Sequence, residues 1–434
     1  MTSESAPAPP VIGTPPLARL LCEAARLVAA VATGHGLTSE LDRAVKEGEL
    51  PRAALIDLTH GTLRRFGRVQ AIEQQLSTRG GADQTVSALL WCSFYALDSG
   101  RYAAHTVVDQ AVRACGLLGS PHAKGFVNAV LRRLLRDRTA IEAAIAQDEQ
   151  ARWWHPAWWI DAVRRGYPER WKDALQSGNS HPPMALRVNL RRSGIQEYLA
   201  RLQAEGLAAR PLSETALLLQ HPVPVARLPG FPTGEVSVQD AGAQRAAPYL
   251  DLIDGQRVLD ACAAPGGKAA HILESAAVSL TALDVDPARG AQMERNFARL
   301  GLQANVKIAD CVRLETWWDG EAYDRILADV PCSSSGVVRR NPDIKWLRRP
   351  NDIGGFAARQ SEILDALWRV LAPGGKLLYV TCSIFIEENE AVVGAFCART
   401  PQAHRLALPA GAAAQLLPDD EHDGFYFALV AKRT

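Results

Sequence analysis

A net charge is almost absent from this 434-residue chain: 48 Lys and Arg stand against 47 Asp and Glu, leaving +1. Bulk charge therefore neither demands nor excludes a nucleic-acid partner, and local charge has to decide. The eight cysteines (Cys22, Cys92, Cys115, Cys262, Cys311, Cys332, Cys382 and Cys397) include no C-x-x-C pair and no His/Cys spacing of the zinc type. Scattered thiols of this kind suit a reducing compartment. No uninterrupted apolar stretch reaches the ~20 residues that a membrane span needs. The Ser/Ala/Pro-rich start, Met1 to Pro10, lacks the basic and apolar regions of a signal peptide. These absences predict a cytoplasmic protein with no membrane partner and no bound metal. An internal repeat is missing too.

What is present divides the chain into segments, and a length of 434 residues suggests two or three domains at roughly 150 residues each. Residues 1–16 hold five of the 26 prolines and read as a disordered lead-in. Over 17–145 the pattern is helical. Leu20, Leu21, Ala24, Leu27, Val28 and Val31 recur at helix spacing, and Gly34-His35-Gly36 stops the run. Further helices are expected over Ala54 to Phe66, Gln84 to Leu97, Thr106 to Cys115 and Ala123 to Leu135. Gly80-Gly81, Ser99-Gly100 and Ser120-Pro121 separate them. Residues 146–235 change in texture: five of the ten tryptophans cluster there, followed by strands near Ala185 to Asn189 and Ala216 to Leu219 around a helix near Gln196 to Ala204. That is a small α+β unit. From Val236 to Thr434 strands and helices alternate, the pattern of a Rossmann-like parallel sheet with crossover helices.

The segment Arg257 to Lys268 reads as a strand, a tight turn of small residues and a helix start. Gly266 and Gly267 admit a ligand close to the backbone, and the helix N-terminus favours negative groups. A phosphate-binding G-x-x-x-x-G-K-[ST] loop is excluded because Ala269 follows Lys268, and G-x-G-x-x-G does not occur here either. The next apolar run ends at Asp284, about 20 residues past the Gly-rich turn, where an acid accepts hydrogen bonds from a ribose. The third ends at Asp310, placed for an adenine amino group, and the fourth at Asp329. One strand-end Asp is commonly only a turn or cap residue. Three in succession beside a Gly-rich turn point to a nucleoside cofactor.

Two thiols also stand at strand ends, Cys332 in Asp329-Val-Pro-Cys-Ser333 and Cys382 in Thr381-Cys-Ser383. Strand carboxyl ends converge on the ligand crevice of a parallel sheet. Carbon 5 of a pyrimidine is too weak a nucleophile to take a methyl group directly. A thiolate added at C6 makes C5 enamine-like, so that it attacks a sulfonium methyl; loss of the C5 proton and of the thiol restores the ring. Asp329 is close enough in sequence to assist at N3, best with a raised pKa. Arg339, Arg340, Lys345, Arg348 and Arg349 are near enough to favour a thiolate. The chemistry does not rank the two thiols. Cys22, Cys92, Cys115, Cys311 and Cys397 read as small buried hydrophobes, and Cys262 as a turn residue.

Asp260-Ala-Cys-Ala-Ala-Pro-Gly-Gly-Lys268, Asp329-Val-Pro-Cys-Ser333 and Thr381-Cys-Ser383 resemble the motifs of RNA cytosine-5 methyltransferases, and within them the RsmB (Sun/Fmu) small-subunit rRNA enzymes. Val338 to Trp346 and Val238 to Gln244 extend the likeness. The helical region resembles the antitermination-factor fold of the NusB type, through His105-Thr-Val-Val-Asp109 and Phe126 to Arg133. The resemblance covers nearly the whole chain past the proline-rich start. It implies a helical NusB-like RNA-binding domain, a small α+β RNA-binding subdomain and a Rossmann-like methyltransferase domain. It implies methylation of C5 of a cytosine in 16S rRNA, the family's cytosine 967, through a covalent intermediate. Cys382 would be the nucleophile and Cys332 would act in product release. Cys262, Ala263, Ala264, Pro265, Gly266, Gly267, Lys268, Asp284, Asp310 and Asp329 would bind S-adenosyl-L-methionine, leaving S-adenosyl-L-homocysteine. DNA cytosine-5 enzymes use the Pro-Cys thiol instead. The chain departs from the family at Ser334-Ser335, where Gly-Thr is often seen, and at Ala269, where Thr is common.

For RNA contact, residues 151–192 carry eight Arg or Lys (Arg152, Arg164, Arg165, Arg170, Lys172, Arg187, Arg191, Arg192) against three acids. Basic groups meet phosphates and aromatic rings stack on unpaired bases. The competing reading packs Trp153, Trp154, Trp158 and Trp159 into a junction, and Arg132, Arg133, Arg136 and Arg138 suit a solvated helix face equally well. A stacked target base must be single-stranded or flipped. The expected partner is therefore 16S rRNA, free or early in assembly, met by a monomer. The rival readings are a tRNA or DNA substrate, and a non-catalytic RNA-binding or antitermination module on a decayed methyltransferase fold.

Overall fold

A computed structural model describes residues 16–48, 50–77 and 83–434. The proline-rich lead-in up to Pro15 and the Gly80-Gly81 breaker lie outside the described residues. The chain divides into two compact units at Ala157/Trp158.

The first unit is helical throughout its described residues: α1 (Leu17–Ala32), α2 (Leu37–Gly48), α3 (Arg52–Arg64), α4 (Phe66–Leu76), α5 (Gln84–Asp98), α6 (Ala104–Leu117), α7 (Lys124–Arg136), α8 (Arg138–Ile145) and α9 (Glu149–Trp153). The periodic residues Leu20, Leu21, Ala24, Leu27, Val28 and Val31 all face the core of α1. Helix α5 is buried on nearly every side, from Val86 to Ala96, and Asp83 caps it by accepting from the Thr85 N–H. The helix expected over Ala54 to Phe66 ends at Arg64. Arg65 leaves helical geometry at φ −105°, ψ 19°, and a second helix, α4, starts at once. No Gly or Pro marks that break, so periodicity alone does not expose it. The helical packing also continues past Ile145 to α9, which lies on α4.

The second unit holds α10 (Ala157–Gly166) and α11 (Trp171–Asn179), followed by β1 (Ala185–Val188), α12 (Ile195–Ala204), β2 (Ala209–Pro211), β3 (Ala216–Leu219) and β4 (Val236–Val238). These strands form an antiparallel sheet of order β2-β3-β1-β4. Val236–Val238 thus corrects the expectation that the parallel sheet begins at Val236: Leu186 pairs with Val238 and Val188 with Val236, closing the small sheet.

The remaining elements are α13 (Ala246–Tyr249), β5 (Arg257–Ala261), α14 (Gly267–Ser275), β6 (Ser279–Asp284), α15 (Pro287–Leu300), β7 (Asn305–Ile308), β8 (Tyr323–Asp329), α16 (Ile344–Leu347), α17 (Pro350–Val370), β9 (Leu371–Thr381), α18 (Glu390–Arg399), β10 (Ala403–Leu406), β11 (Gln415–Leu416) and β12 (Phe425–Lys432). The large sheet runs β10-β12-β9-β8-β5-β6-β7, with β11 on β12. Strands β5 to β9 pair in parallel; β5, β6, β8 and β9 are largely buried on both faces, hence the continuous apolar runs in the sequence, while the edge strand β7 is partly exposed. The purely parallel expectation fails at the C-terminus: β12 joins β9 by hairpin-type antiparallel pairing, as do β10 and β11 on β12. No helix among the described residues is long and apolar enough to cross a membrane.

Candidate active site

Strand order reverses between β5 and β8. From β5 the chain steps outward through β6 to β7, and β8 then returns to the other edge of β5. Ligands of open α/β sheets bind in the crevice beyond the strand carboxyl ends at such a point. The loop leaving β5 is shaped for close approach. Cys262 (φ 65°) and Gly266 (φ 91°) both adopt left-handed backbone, and a Cβ on Gly266 would come within 2.8 Å of Met293 Cγ. Asp284, at the end of β6, ties this loop down: it accepts from the Ala264 N–H at 3.0 Å and from the Asp286 N–H at 3.1 Å. Arg289 donates to the Ala264 carbonyl at 2.6 Å.

Cys262, Asp284, Arg289, Asp310, Arg359 and Ile363 share the lining of a cavity of about 280 Å³. Asp310 is in it as expected, but both of its oxygens already accept from Arg359 Nη2, at 2.6 and 2.7 Å. Partial burial pushes the Asp310 carboxyl up; the Arg359 hydrogen bond and charge together with the Val312 N–H and Arg313 outweigh this and hold it below the usual carboxylate value. Arg359 lies on α17, 49 residues past Asp310, and no spacing signal in the sequence connects the two.

The two strand-end thiols meet. Cys332 Sγ and Cys382 Sγ are 3.4 Å apart, Cys332 buried and Cys382 half-buried. The two sulfurs share a hydrogen bond that either thiol could donate; this contact draws Cys382 below the ordinary thiol value, burial opposes it, and the Ser334 hydroxyl and the Lys268 ammonium support it. Cys332 moves the other way, well above an ordinary thiol, through the same hydrogen bond and through burial. The tertiary contact thus brings the two sulfurs into one hydrogen bond, with Cys382 on the side of the Ser334 hydroxyl and the Lys268 ammonium.

Lys268 joins both halves of the site. Its Nζ donates to Asp329 at 2.6 Å. Burial lowers the ammonium pKa, and Asp329 and Cys382 more than compensate, so the group stays charged. Asp260, the first residue of the Gly-rich motif, is fully buried, and neither of its carboxyl oxygens has a hydrogen-bond partner. Burial first, and then Asp329, raises its pKa well above the usual carboxylate value. Its place near the end of a strand carries no sign of this burial.

Glu388 was not anticipated at all. It is fully buried behind the thiols, accepts from the Ser333 N–H at 2.7 Å and from the Ser383 hydroxyl at 2.7 Å, and is therefore linked to the residue following each cysteine. Its signal, a Glu six residues past Cys382, is indistinguishable in sequence from a helix-start acid.

The cations expected to favour the thiolate are engaged elsewhere. Arg339 pairs with Asp423 at 2.5 Å, both fully buried; Arg340 pairs with Asp423 and, at 2.9 Å, with Asp240. Lys345 donates to Asn179 and Arg348 to the Ser333 carbonyl. Arg349 caps α17, its N–H donating to Asp352. Lys268 supplies the positive charge at Cys382 instead. Of the other thiols, Cys22, Cys92, Cys115 and Cys311 are buried as expected, while Cys397 is half-buried.

The tryptophans follow the packing alternative. Trp153 and Trp159 are buried. Trp159 meets Phe385 edge-on at 4.8 Å and Trp158 lies 5.7 Å from the same ring, while the Tyr167 hydroxyl donates to the Ile384 carbonyl at 2.9 Å. Helix α10 thus supports the loop that follows Cys382. Three of the basic residues are structural as well. Arg187 is buried against Glu274, and Arg191 and Arg192 donate to backbone carbonyls. Arg165, Arg170 and Lys172 remain exposed.

Residues 247–431 match the family described as 16S rRNA methyltransferase RsmB/F, residues 155–226 the ferredoxin-like domain of RsmF/B-like methyltransferases, and residues 23–136 the NusB family. Ribosomal RNA small subunit methyltransferase B of Vibrio cholerae serotype O1 is 42% identical over 419 residues, covering 94% of this chain and 96% of that protein. The crystal structure of PH0851 superposes with a TM-score of 0.79 at 22% identity, covering 96% of this chain and 99% of its own, a likeness of fold. A methyltransferase homologue from Pyrococcus horikoshii gives a TM-score of 0.58 at 27% identity, over 66% of this chain and 98% of that one.

Proposed function

The chain belongs to the ribosomal RNA small subunit methyltransferase B family, and is an rRNA methyltransferase by that membership; from this premise we propose that it methylates C5 of a cytosine in 16S rRNA, cytosine 967 in the family's terms, through a covalent bond from Cys382 to C6. The observation that carries the reading is the 3.4 Å contact between the two strand-end sulfurs, with Lys268 and Asp329 beside them.

The cavity fits a nucleoside methyl donor by the chemistry of its lining. Asp284 keeps unused lone pairs for ribose hydroxyls. Asp310 shares its carboxylate with Arg359 at the edge for polar ring substituents, and Leu283 and Ile363 offer apolar surface to a flat ring. The loop Cys262 to Lys268, with Asp284 and Asp310, would hold S-adenosyl-L-methionine, which when bound supplies an electrophilic methyl group.

The chain's own residues do the rest. The Cys382 thiolate, maintained by the Cys332 hydrogen bond and by Lys268, forms the S–C6 bond and makes C5 electron-rich. Asp329 would hydrogen-bond N3 of the base through a proton held between them, and Lys268 would balance the carboxylate charge as that proton passes to N3 during sulfur addition. Once C5 carries the methyl group, its proton leaves to a base, the S–C6 bond breaks and the electron pair returns to Cys382. Cys332 has by then lost its acceptor and stands next to the departing sulfur, which suits it to assist this release. Arg165, Arg170 and Lys172 offer phosphate contacts, and the base has to be unpaired to reach the thiol. That requirement favours rRNA that is free or early in assembly.

Incubation with tritiated S-adenosyl-L-methionine and 16S rRNA, followed by bisulfite sequencing, tests the reading. Label is expected at one cytosine; Cys382→Ala abolishes turnover with cofactor affinity within about twofold, and Cys332→Ala accumulates the RNA adduct. An adduct that persists in Cys382→Ala and disappears in Cys332→Ala reverses the two roles, and no label in cytosine defeats the proposal.

A further inference from the structure

Strand pairing does not by itself set the distance between the two sulfurs. The β8–β9 ladder ends at Asp329 opposite Val380, so both cysteines lie beyond it on separate loops. One backbone bond, Gly336 N–H to the Cys382 carbonyl at 2.8 Å, links the loops directly. Ser335 Oγ adds contacts to the Ser383 hydroxyl at 2.9 Å and from the Ile384 N–H at 2.8 Å, and Glu388 bridges the two loops as well. One carboxylate oxygen accepts from the Ser333 N–H at 2.7 Å and from Gln360 Nε2 at 3.2 Å; the other accepts from the Ser383 hydroxyl at 2.7 Å. Ser333 and Ser383 directly follow the two cysteines, and their hydroxyl oxygens are 3.2 Å apart. Gln360 Nε2 also donates to the carbonyl of Pro331, the residue before Cys332, at 3.0 Å. Glu388 is itself anchored: the Tyr379 hydroxyl donates to its carbonyl at 2.6 Å. Every side chain in this cluster except that of the half-buried Cys382 is buried.

We propose that Glu388 is a positioning residue for the cysteine pair, its carboxylate bridging Ser333 and Ser383 so that the Cys332 thiol stays within hydrogen-bond reach of the Cys382 sulfur. The proposal rests on the assignment of Cys382 as nucleophile given above. A carboxylate suits the place because all three side-chain neighbours present donors, and buried donors left unpaired are costly. Alanine here frees three donors and removes the carboxylate bridge, leaving the Gly336–Cys382 bond and the serine contacts between the loops. Glutamine keeps an acceptor for Ser333 and Gln360, and the Ser383 hydroxyl is free to turn and accept from the new amide while donating to Ser335 Oγ, 2.9 Å away.

The test is the rate of Cys382 alkylation by iodoacetamide against pH, read by peptide mass spectrometry on the full-length protein, together with kcat and KM for methyl transfer to 16S rRNA. Glu388→Ala is expected to move the alkylation midpoint upward and to lower kcat at neutral pH about tenfold, the effect of one pKa unit on the thiolate fraction. KM for S-adenosyl-L-methionine stays within about twofold, and Glu388→Gln falls between the alanine variant and the wild type. A folded alanine variant with unchanged midpoint and kcat overturns the proposal. If that variant does not fold, Ser383→Ala, which removes the donor to the second oxygen, decides by the same two readouts: a raised midpoint supports the bridge and an unchanged one overturns it. Failure of the underlying mechanism is distinguishable, because Cys382→Ala would then still transfer methyl groups.

Discussion

Ser334 shows how one side chain can serve chemistry at a cost to the backbone. It follows the Pro-Cys-Ser motif with φ 61°, the left-handed region that favours Gly. A non-glycine residue there costs roughly 1–2 kcal/mol, yet its hydroxyl hydrogen-bonds the Cys382 sulfur and lowers the thiol pKa. Ser334→Gly relieves the strain but adds unfolded-state entropy of about 0.4–1 kcal/mol and gives up the bond to sulfur, about 0.5–1.5 kcal/mol, so stability in urea unfolding is expected to stay within about 1.5 kcal/mol of the wild type. The same variant should raise the pH midpoint of Cys382 alkylation. The neighbouring departure is milder: Ser335 Oγ bonds Ser383 Oγ at 2.9 Å and accepts from the Ile384 N–H at 2.8 Å, and a Thr hydroxyl would do the same. The motif cysteines, the Gly-rich turn and the acids at 284, 310 and 329 were all legible in the sequence, because each ends a recognisable apolar run. Arg359, Glu388 and the state of Asp260 were not. Their importance comes from what lies opposite them in space, and the partners are separated by 49, 55 and 69 positions or placed on neighbouring strands.

Elements carry a second kind of dependence. Arg187 on β1, counted from composition as an RNA contact, is fully buried. It makes two bonds to Glu274 on α14, at 2.8 and 2.9 Å, one to the Gly267 carbonyl at 2.7 Å, and another to Gln239. Gly267 is the first residue of α14, so this guanidinium fastens the small antiparallel sheet to the helix that opens on the Gly-rich loop. Removing one partner of a buried pair strands the other charge. Arg187→Met is expected to destabilise the second unit by about 3–5 kcal/mol, measured by denaturant unfolding. Adding Glu274→Leu should recover a large part of that loss; no recovery would mean that packing rather than the ion pair is responsible. By contrast, α15 was readable from its ends alone. Asp286 accepts from the Ala288 and Arg289 N–H groups, Pro287 opens the helix and Gly301 closes it at φ 69°. Break signals failed only where the backbone changes course without Gly or Pro, as at Arg65 between α3 and α4.

The whole second unit responds to acid through a buried histidine. His271 on α14 is buried, its Nδ1 has no hydrogen-bond partner, and burial followed by the nearby Arg187 charge pushes its pKa down from 6.5 to about 3. The unfolded chain therefore binds a proton that the folded chain refuses. Stability is complete above pH 6.5 and falls as pH drops from there toward about 3, by up to about 1.4 kcal/mol per unit. Unfolding curves between these limits should flatten in His271→Leu; an unchanged slope would assign the acid sensitivity to other groups. The order of segments, the helical first unit and the run of strands ending in Asp and Cys are properties of local pattern, since apolar period, caps and turn residues act over a few positions. By itself the sequence determined those, together with the residue types available for chemistry. Which sulfurs touch, which cation faces them, which strand closes the small sheet and which arginines are hidden were decided only by tertiary structure. A pKa, a burial and a strand pairing depend on distances of a few ångströms between groups tens of residues apart, and no local pattern encodes those distances.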